Sequence, residues 1–185
     1  MNLVKDYIGY YIDQIPFLLC DDIIEYVEIQ RFSDFSKSTY SNSKGRVKDE
    51  DRVYMDEIWF HEGEKFYDNL KIACDRIILN YSKEHELFAC QRHTDFRLNK
   101  YSKGGFMSKH CDNIHHSHAQ EYGFPQVSAL LFLNDDYEGG EFVVADETYT
   151  TKRGSGIIFP SNFMFPHEVK PITKGTRWSV ITWLM

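Results

Sequence analysis

The chain lacks the features that would place it in several large classes. Its four cysteines, Cys20, Cys74, Cys90 and Cys111, show no C-x-x-C spacing. Four thiols among 185 residues do not make a disulfide scaffold, so a reducing, cytoplasmic setting is expected. No run of about 18 apolar residues occurs, and the N-terminal stretch mixes Asp, Lys and Tyr with apolar residues, so neither a membrane span nor an export signal is expected. Basic residues form no stripe and the formal net charge is -7, which argues against a nucleic-acid footprint built on phosphate contacts. Internal repeats and low-complexity segments are absent. What is present is apolar material: 42% hydrophobic and 16% aromatic residues suffice for one core, and the length fits one domain spanning 1–185.

The pattern changes along the chain. Asp6 to Gln14 reads as a strand. Pro16 then leads into Asp21 and Asp22, whose carboxylates suit a helix N-terminus, with Ile23, Ile24 and Val27 on one face. Residues 33–52 are polar and read as a mobile loop of the kind that covers a site. Phe66, Leu70, Ala73, Cys74, Ile77, Ile78 and Tyr81 recur at helical spacing, predicting a helix over about 62–82 whose apolar stripe must cover a sheet. From Asp95 onward short apolar runs alternate with Gly, Asn, Asp and Pro. Strands are expected near 95–101, 109–112, 126–133, 141–145, 155–159, 167–170 and 176–184. Helices first and strands later predict an α+β fold: helical support and the loop in 1–90, and a jelly roll in 91–185.

The chemistry concentrates in four residues. On a strand, His110 and Asp112 at i and i+2 share a face while Cys111 looks away. His167, from a distant strand, completes a set of two histidines and one carboxylate. Such a set occupies one face of an octahedron and leaves adjacent positions open, as non-haem iron oxygenases require. Three protein ligands plus water is also a catalytic zinc arrangement, so the ligand set alone does not name the metal. Arg177, on the last strand, tilts the choice, because a buried guanidinium needs an anion. Fe(II) with one Asp carries a charge of +1, a 2-oxoglutarate dianion brings -2, and Arg177 restores neutrality. Its fork suits the distal carboxylate, and Ser179, on the same strand face, offers a hydroxyl.

Together these residues resemble the Fe(II)- and 2-oxoglutarate-dependent dioxygenases, within them the prolyl 4-hydroxylase-like branch. The resemblance runs from about Ile15 to the C-terminus and is strongest after Arg97. Its anchors are Tyr101 to Gly105 before His110 to Asn113, Leu131 to Asn134, Tyr137 to Glu141, Gly156 to Pro160, His167 to Val169, and Lys174 to Ser179, ending at Trp183. It implies a double-stranded β-helix, with His110, Asp112 and His167 binding iron, Arg177 the distal carboxylate and Tyr101 hydrogen-bonding the co-substrate. It implies Fe(II), 2-oxoglutarate and O2, with ascorbate a candidate addition. The implied reaction is hydroxylation of a C–H bond in a peptide or protein substrate, a prolyl residue being favoured, with residues 33–52 as a substrate-covering loop. Two positions depart from the family pattern. Phe132 stands where many prolyl hydroxylases carry a Tyr whose hydroxyl holds the distal carboxylate, leaving Ser179, Ser128 or Tyr101 to compensate. Met107 stands where an aromatic hydroxyl is common.

Other polar clusters have plainer readings. His115, His116 and His118 are expected in a solvated loop, and Asp135, Asp136, Glu138 and Glu141 in a solvated turn. Cys111 is read as packing or an oxidation liability and not as a ligand, and Trp183 equally as pocket lining or core. Two alternatives stay open: the same mechanism acting on another residue or a small metabolite, and a noncatalytic metal-binding jelly-roll recognition module.

Overall fold

The computed structural model describes residues 4–42, 45–90, 92–113 and 124–185. Two antiparallel sheets face each other. The larger runs in the order β1 (Gly9–Tyr11), β13 (Gly156–Pro160), β9 (Val127–Phe132), β16 (Arg177–Leu184), β7 (Phe96–Tyr101), β6 (Asp56–Phe60) and β2 (Ser36–Lys37). The smaller runs β12 (Glu147–Tyr149), β11 (Phe142–Val144), β14 (His167–Val169), β8 (Phe106–His110) and β5 (Val53–Tyr54). Two ribbons, β3 (Tyr40–Asn42) with β4 (Gly45–Val47) and β10 (Glu138–Gly139) with β15 (Ile172–Lys174), complete the strands. This is the double-stranded β-helix expected, with α1 (Phe17–Ile29) and α2 (Tyr67–Glu84) on its outside.

The larger sheet is apolar on both faces. Leu98, Ala129, Leu131, Ile158, Trp178, Val180 and Leu184 pack outward with Ile23 and Val27 of α1 and Leu70, Ala73 and Ile77 of α2. Leu130, Phe132, Ile157, Phe159, Ile181 and Trp183 point the other way, toward Phe142, Val144 and Val169 of the smaller sheet. Every residue of β9 and β16 is therefore buried, and alternation gives way to a continuous apolar run. α2 lies close on this sheet because Gly156 leaves room for it: a methyl there would stand 2.1 Å from Ile77 Cδ1.

Several expectations shift. α1 begins at Phe17, after Pro16, and not at Asp21. Its cap makes no side-chain hydrogen bond, and Phe17 and Leu18 in its first turn are exposed, so neither a capping residue nor an amphipathic stripe marks the start. Asp21 instead pairs with Arg153 at 2.5 Å. Of the expected first strand only Gly9–Tyr11 pairs, against β13, and Lys5–Tyr7 forms a 3-10 turn. The polar stretch 33–52 contains β2, β3 and β4. His115, His116 and His118 lie outside the described residues. No described helix is long and apolar enough to cross a membrane.

Candidate metal centre

β8 and β14 lie side by side in the smaller sheet, with His110 directly opposite His167. The imidazole centroids are 4.3 Å apart. Asp112 joins them by a route other than the expected one. β8 ends at His110, and the chain bends through Asp112, so the carboxylate turns inward from the bend and not by strand alternation. Asn113 N–H, donating to Ser161 O at 2.9 Å, ties down the exit. Asp112 Oδ1 lies 3.4 Å from His110 Nε2, and Oδ2 lies 3.4 Å from His167 Nε2. One donor atom from each of the three residues falls within 4.8 Å of the other two.

The surrounding groups fix which atoms face inward. His110 Nδ1 is 2.8 Å from Ser108 O, and His167 Nδ1 is 3.2 Å from Phe165 O. A carbonyl accepts only, so each Nδ1 carries the proton and each Nε2 lone pair is presented to the centre. Ser128 Oγ donates to Asp112 Oδ2 at 2.6 Å and lies 2.8 Å from Ser161 Oγ. Burial, reinforced by His167, lowers the pKa of His110 and favours its neutral form. Burial alone would raise the carboxyl of Asp112, but the adjacent imidazoles, His167 first, outweigh it and hold the group well below the usual carboxylate range. A neutral His110 imidazole and an ionised Asp112 carboxylate are states that metal binding needs.

Deeper between the sheets, Arg177 is fully buried and sits opposite Tyr101 in the register. Its guanidinium carbon is 5.2 Å from the centre of the Tyr101 ring and 5.3 Å from that of Phe132. Nη1 donates to Ser179 Oγ at 3.1 Å, while Nε and Nη2 are buried without a partner. Two unpaired donors on a buried cation match a carboxylate. Of the residues considered to compensate for Phe132, Ser179 is on Arg177 and Tyr101 is beside it. Ser128 is committed to Asp112, and that expectation is corrected. Met107 packs into the inner core. The acidic residues of the turn are engaged locally: Asn134 Nδ2 donates to Asp136 Oδ1 at 2.6 Å, Arg153 N–H donates to Asp135 Oδ2 at 3.1 Å, and Lys174 pairs with Glu138. Sequence reasoning missed Ser161 and the carbonyls of Ser108 and Phe165, which carry no side-chain signal of a role.

Tyr40, at the start of the β3–β4 ribbon, packs against the inner core. Arg52 Nη2 donates to Tyr40 Oη at 2.6 Å and to Lys109 O at 3.2 Å, tying the 33–52 segment to the strand that carries His110.

A jelly roll holding two histidines, one carboxylate and a buried arginine defines the class of non-haem iron oxygenases. Residues 96–185 match the family model of the 2OG-Fe(II) oxygenase superfamily. Human prolyl 3-hydroxylase 2 is 45% identical over 69 residues, covering 34% of this chain and 10% of that protein. A PKHD-type hydroxylase of Shewanella oneidensis is 35% identical over 93 residues, covering 47% of this chain and 41% of the relative. The chain therefore spans less than half the length of these curated relatives. The crystal structure of a Pseudomonas putida prolyl-4-hydroxylase superimposes with a TM-score of 0.75 at 19% identity, covering 99% of this chain and 94% of that one, a likeness of fold. The donor set fits the metal this family uses: two nitrogens and one carboxylate oxygen, with no fourth His, Cys, Asp or Glu in the group among the described residues.

Proposed function

We propose that this protein is an Fe(II)- and 2-oxoglutarate-dependent dioxygenase that hydroxylates a prolyl residue in a peptide or protein. The observation that carries the reading is one cleft holding both halves of the requirement: a three-donor centre, and a buried Arg177 with two donors lacking an acceptor. A structural zinc site closed by four protein ligands would account for neither. The names of the relatives, all prolyl or PKHD-type hydroxylases, support the substrate class.

In this reading His110, Asp112 and His167 hold Fe(II), and Arg177 with Ser179 holds the distal carboxylate of 2-oxoglutarate beside Tyr101. When bound, iron and co-substrate supply the oxidising power: 2-oxoglutarate and O2 become succinate and CO2 as one oxygen atom enters the substrate C–H bond and the other enters succinate. The chain's own contribution is positional. Ser128 orients Asp112, the carbonyls of Ser108 and Phe165 fix the imidazole tautomers, and the apolar walls of Phe132, Phe159 and Phe142 exclude water. Arg177 neutralises charge where no protein carboxylate lies within ion-pair reach among the described residues.

The test is an anaerobic titration of the Fe(II) protein with 2-oxoglutarate, followed by incubation with proline-containing peptides in air. A saturable visible charge-transfer band that His167→Ala removes is expected, then a mass gain of one oxygen on a prolyl residue. Amino-acid analysis of the product assigns the ring carbon. Tight zinc with no 2-oxoglutarate binding would overturn the reading in favour of a noncatalytic module. A band without peptide oxidation would move the substrate to another residue or a small metabolite.

A further inference from the structure

β8 reaches the metal centre through an irregularity. Against β14, Met107 pairs with Val169 and His110 with His167, so Ser108 and Lys109 together stand opposite Glu168 alone. The extra residue makes a β-bulge, a device that re-aims the side chains beyond it. Met107 packs into the inner core, and strict alternation from there would turn His110 outward. The bulge returns the imidazole to the cleft, with its centroid 4.3 Å from that of His167.

A bulge interrupts the ladder and leaves backbone groups that must find other partners. On the other edge of β8, β5 pairs Tyr54 with Phe106 and Val53 with Met107, and ends where the bulge begins. Arg52, the residue next to β5, takes over. Its carbonyl accepts from Ser108 N–H at 2.8 Å, and its Nη2 donates to Lys109 O at 3.2 Å. One residue thus grips both members of the bulge, once by backbone and once by side chain. The Ser108 carbonyl, in the peptide between those two contacts, is the atom 2.8 Å from His110 Nδ1. Tyr40 steadies the guanidinium: its hydroxyl accepts from the same Nη2 at 2.6 Å, and its ring centre lies 4.6 Å from the guanidinium carbon. Both acceptors are neutral, and Nε is buried without a partner. A guanidinium placed for stability alone would do better against a carboxylate.

We infer that Arg52 is a positioning residue for His110, setting the aim of the imidazole through the peptide groups of the bulge. The inference rests on the reading of His110, Asp112 and His167 as metal ligands and adds to it a residue that acts through the backbone. The route is short. Arg52 fixes Ser108 N–H and Lys109 O, the Ser108 carbonyl between them holds Nδ1–H of His110, and Nε2 is thereby turned to the point it shares with Asp112 and His167.

The experiment measures Mn(II) affinity by competition with a chelator, the melting temperature of the same samples, and the Nδ1–H proton resonance of His110 in isotope-labelled, Zn(II)-loaded protein. Arg52→Met keeps the apolar stem and the backbone bond from Ser108, and loses only the side-chain grip on Lys109 and Tyr40. It should weaken Mn(II) binding about tenfold or more, as loss of a group that orients a ligand does, and shift the His110 resonance. Arg52→Lys keeps the charge but not the flat fork, should lose about threefold, and carries the test should the methionine variant not fold. Asp146→Asn is the control, because it removes the exposed ion pair of the Lys109 ammonium without touching the peptide groups of the bulge. It should leave Mn(II) affinity within about twofold. Unchanged Mn(II) affinity in a folded Arg52 variant overturns the inference, and so does an unmoved His110 resonance. An equal loss in Asp146→Asn overturns it too, reducing the effect to a general loosening of the strand. Failure of the unmodified protein to bind Mn(II) or Zn(II) at all refutes the metal-ligand reading itself.

Discussion

Replacing Arg177 with methionine should stabilise the protein without its ligand and abolish its response to the ligand. Arg177 is fully buried, donates once, to Ser179, and carries two unpartnered donors. Removing a buried, poorly compensated charge in favour of an apolar side chain of similar volume gains about 1–4 kcal/mol. Loss of the Ser179 contact returns about 1 kcal/mol. The net gain is at most about 3 kcal/mol, and at about 2–4 °C per kcal/mol for a chain of this size the melting temperature should rise by up to about 10 °C. The unmodified protein behaves in the opposite way: 2-oxoglutarate at about 100 times its Kd adds about 2.7 kcal/mol and lifts the melt by about 5–10 °C. Differential scanning calorimetry of Mn(II)-loaded protein, with and without 2-oxoglutarate, reads both. A variant that melts lower than the unmodified protein and keeps its full 2-oxoglutarate shift would refute the assignment of Arg177 as the carboxylate anchor.

Three further outcomes follow from the same geometry. Ser128→Ala removes the 2.6 Å donor from Asp112 Oδ2 and should weaken metal binding about 10–100-fold in a chelator competition, whereas unchanged affinity would make the contact incidental. Phe132→Tyr places a hydroxyl in a fully buried position beside the guanidinium. It should cost about 1–3 kcal/mol without ligand yet tighten 2-oxoglutarate binding about three- to tenfold by calorimetry, and weaker binding would show the hydroxyl aimed elsewhere. Gly156→Ala drives a methyl against Ile77 Cδ1 and should cost about 1–3 kcal/mol in urea denaturation. Because Ile77→Val deletes that same carbon, the double variant should be more stable than the sum of the single losses predicts, and strict additivity would deny the contact.

The clustering of His110, Asp112 and His167 was legible because coordination chemistry restricts residue type, and few patterns place two imidazoles, a carboxylate and an arginine in this order. The reason first assigned to Asp112 was nonetheless incomplete, since strand alternation does not extend past His110. α2 was legible from its 3.6-residue period. The start of α1 was not, since Pro16 offers no side-chain cap and the first turn is exposed. β6 escaped notice because Asp56 and Glu57 open it and only Ile58 and Phe60 are buried, too short a run to announce a strand. Arg97 and Trp59 escaped with it, because their meeting with Trp183 depends on the register of three strands brought together from distant parts of the chain.

That register is also what joins stability to chemistry in this fold. Along β16 successive residues serve opposite faces: Trp178, Val180 and Leu184 pack toward the helices, whereas Arg177, Ser179, Ile181 and Trp183 face the cleft. A slip by one residue would exchange the two sets, burying Arg177 under α2 and turning Trp178 into the cleft. Asn134 guards against this at the point where β16 begins. Its Nδ2 donates to Thr176 O at 2.7 Å, and its Oδ1 accepts from Trp178 N–H at 2.8 Å, so one side chain grips the backbone on both sides of Arg177. On the outer face Lys100 and Phe35 close over Trp178. Packing that never touches the cleft thus determines which way Arg177 points, and the outer core is a condition of the site as well as its support.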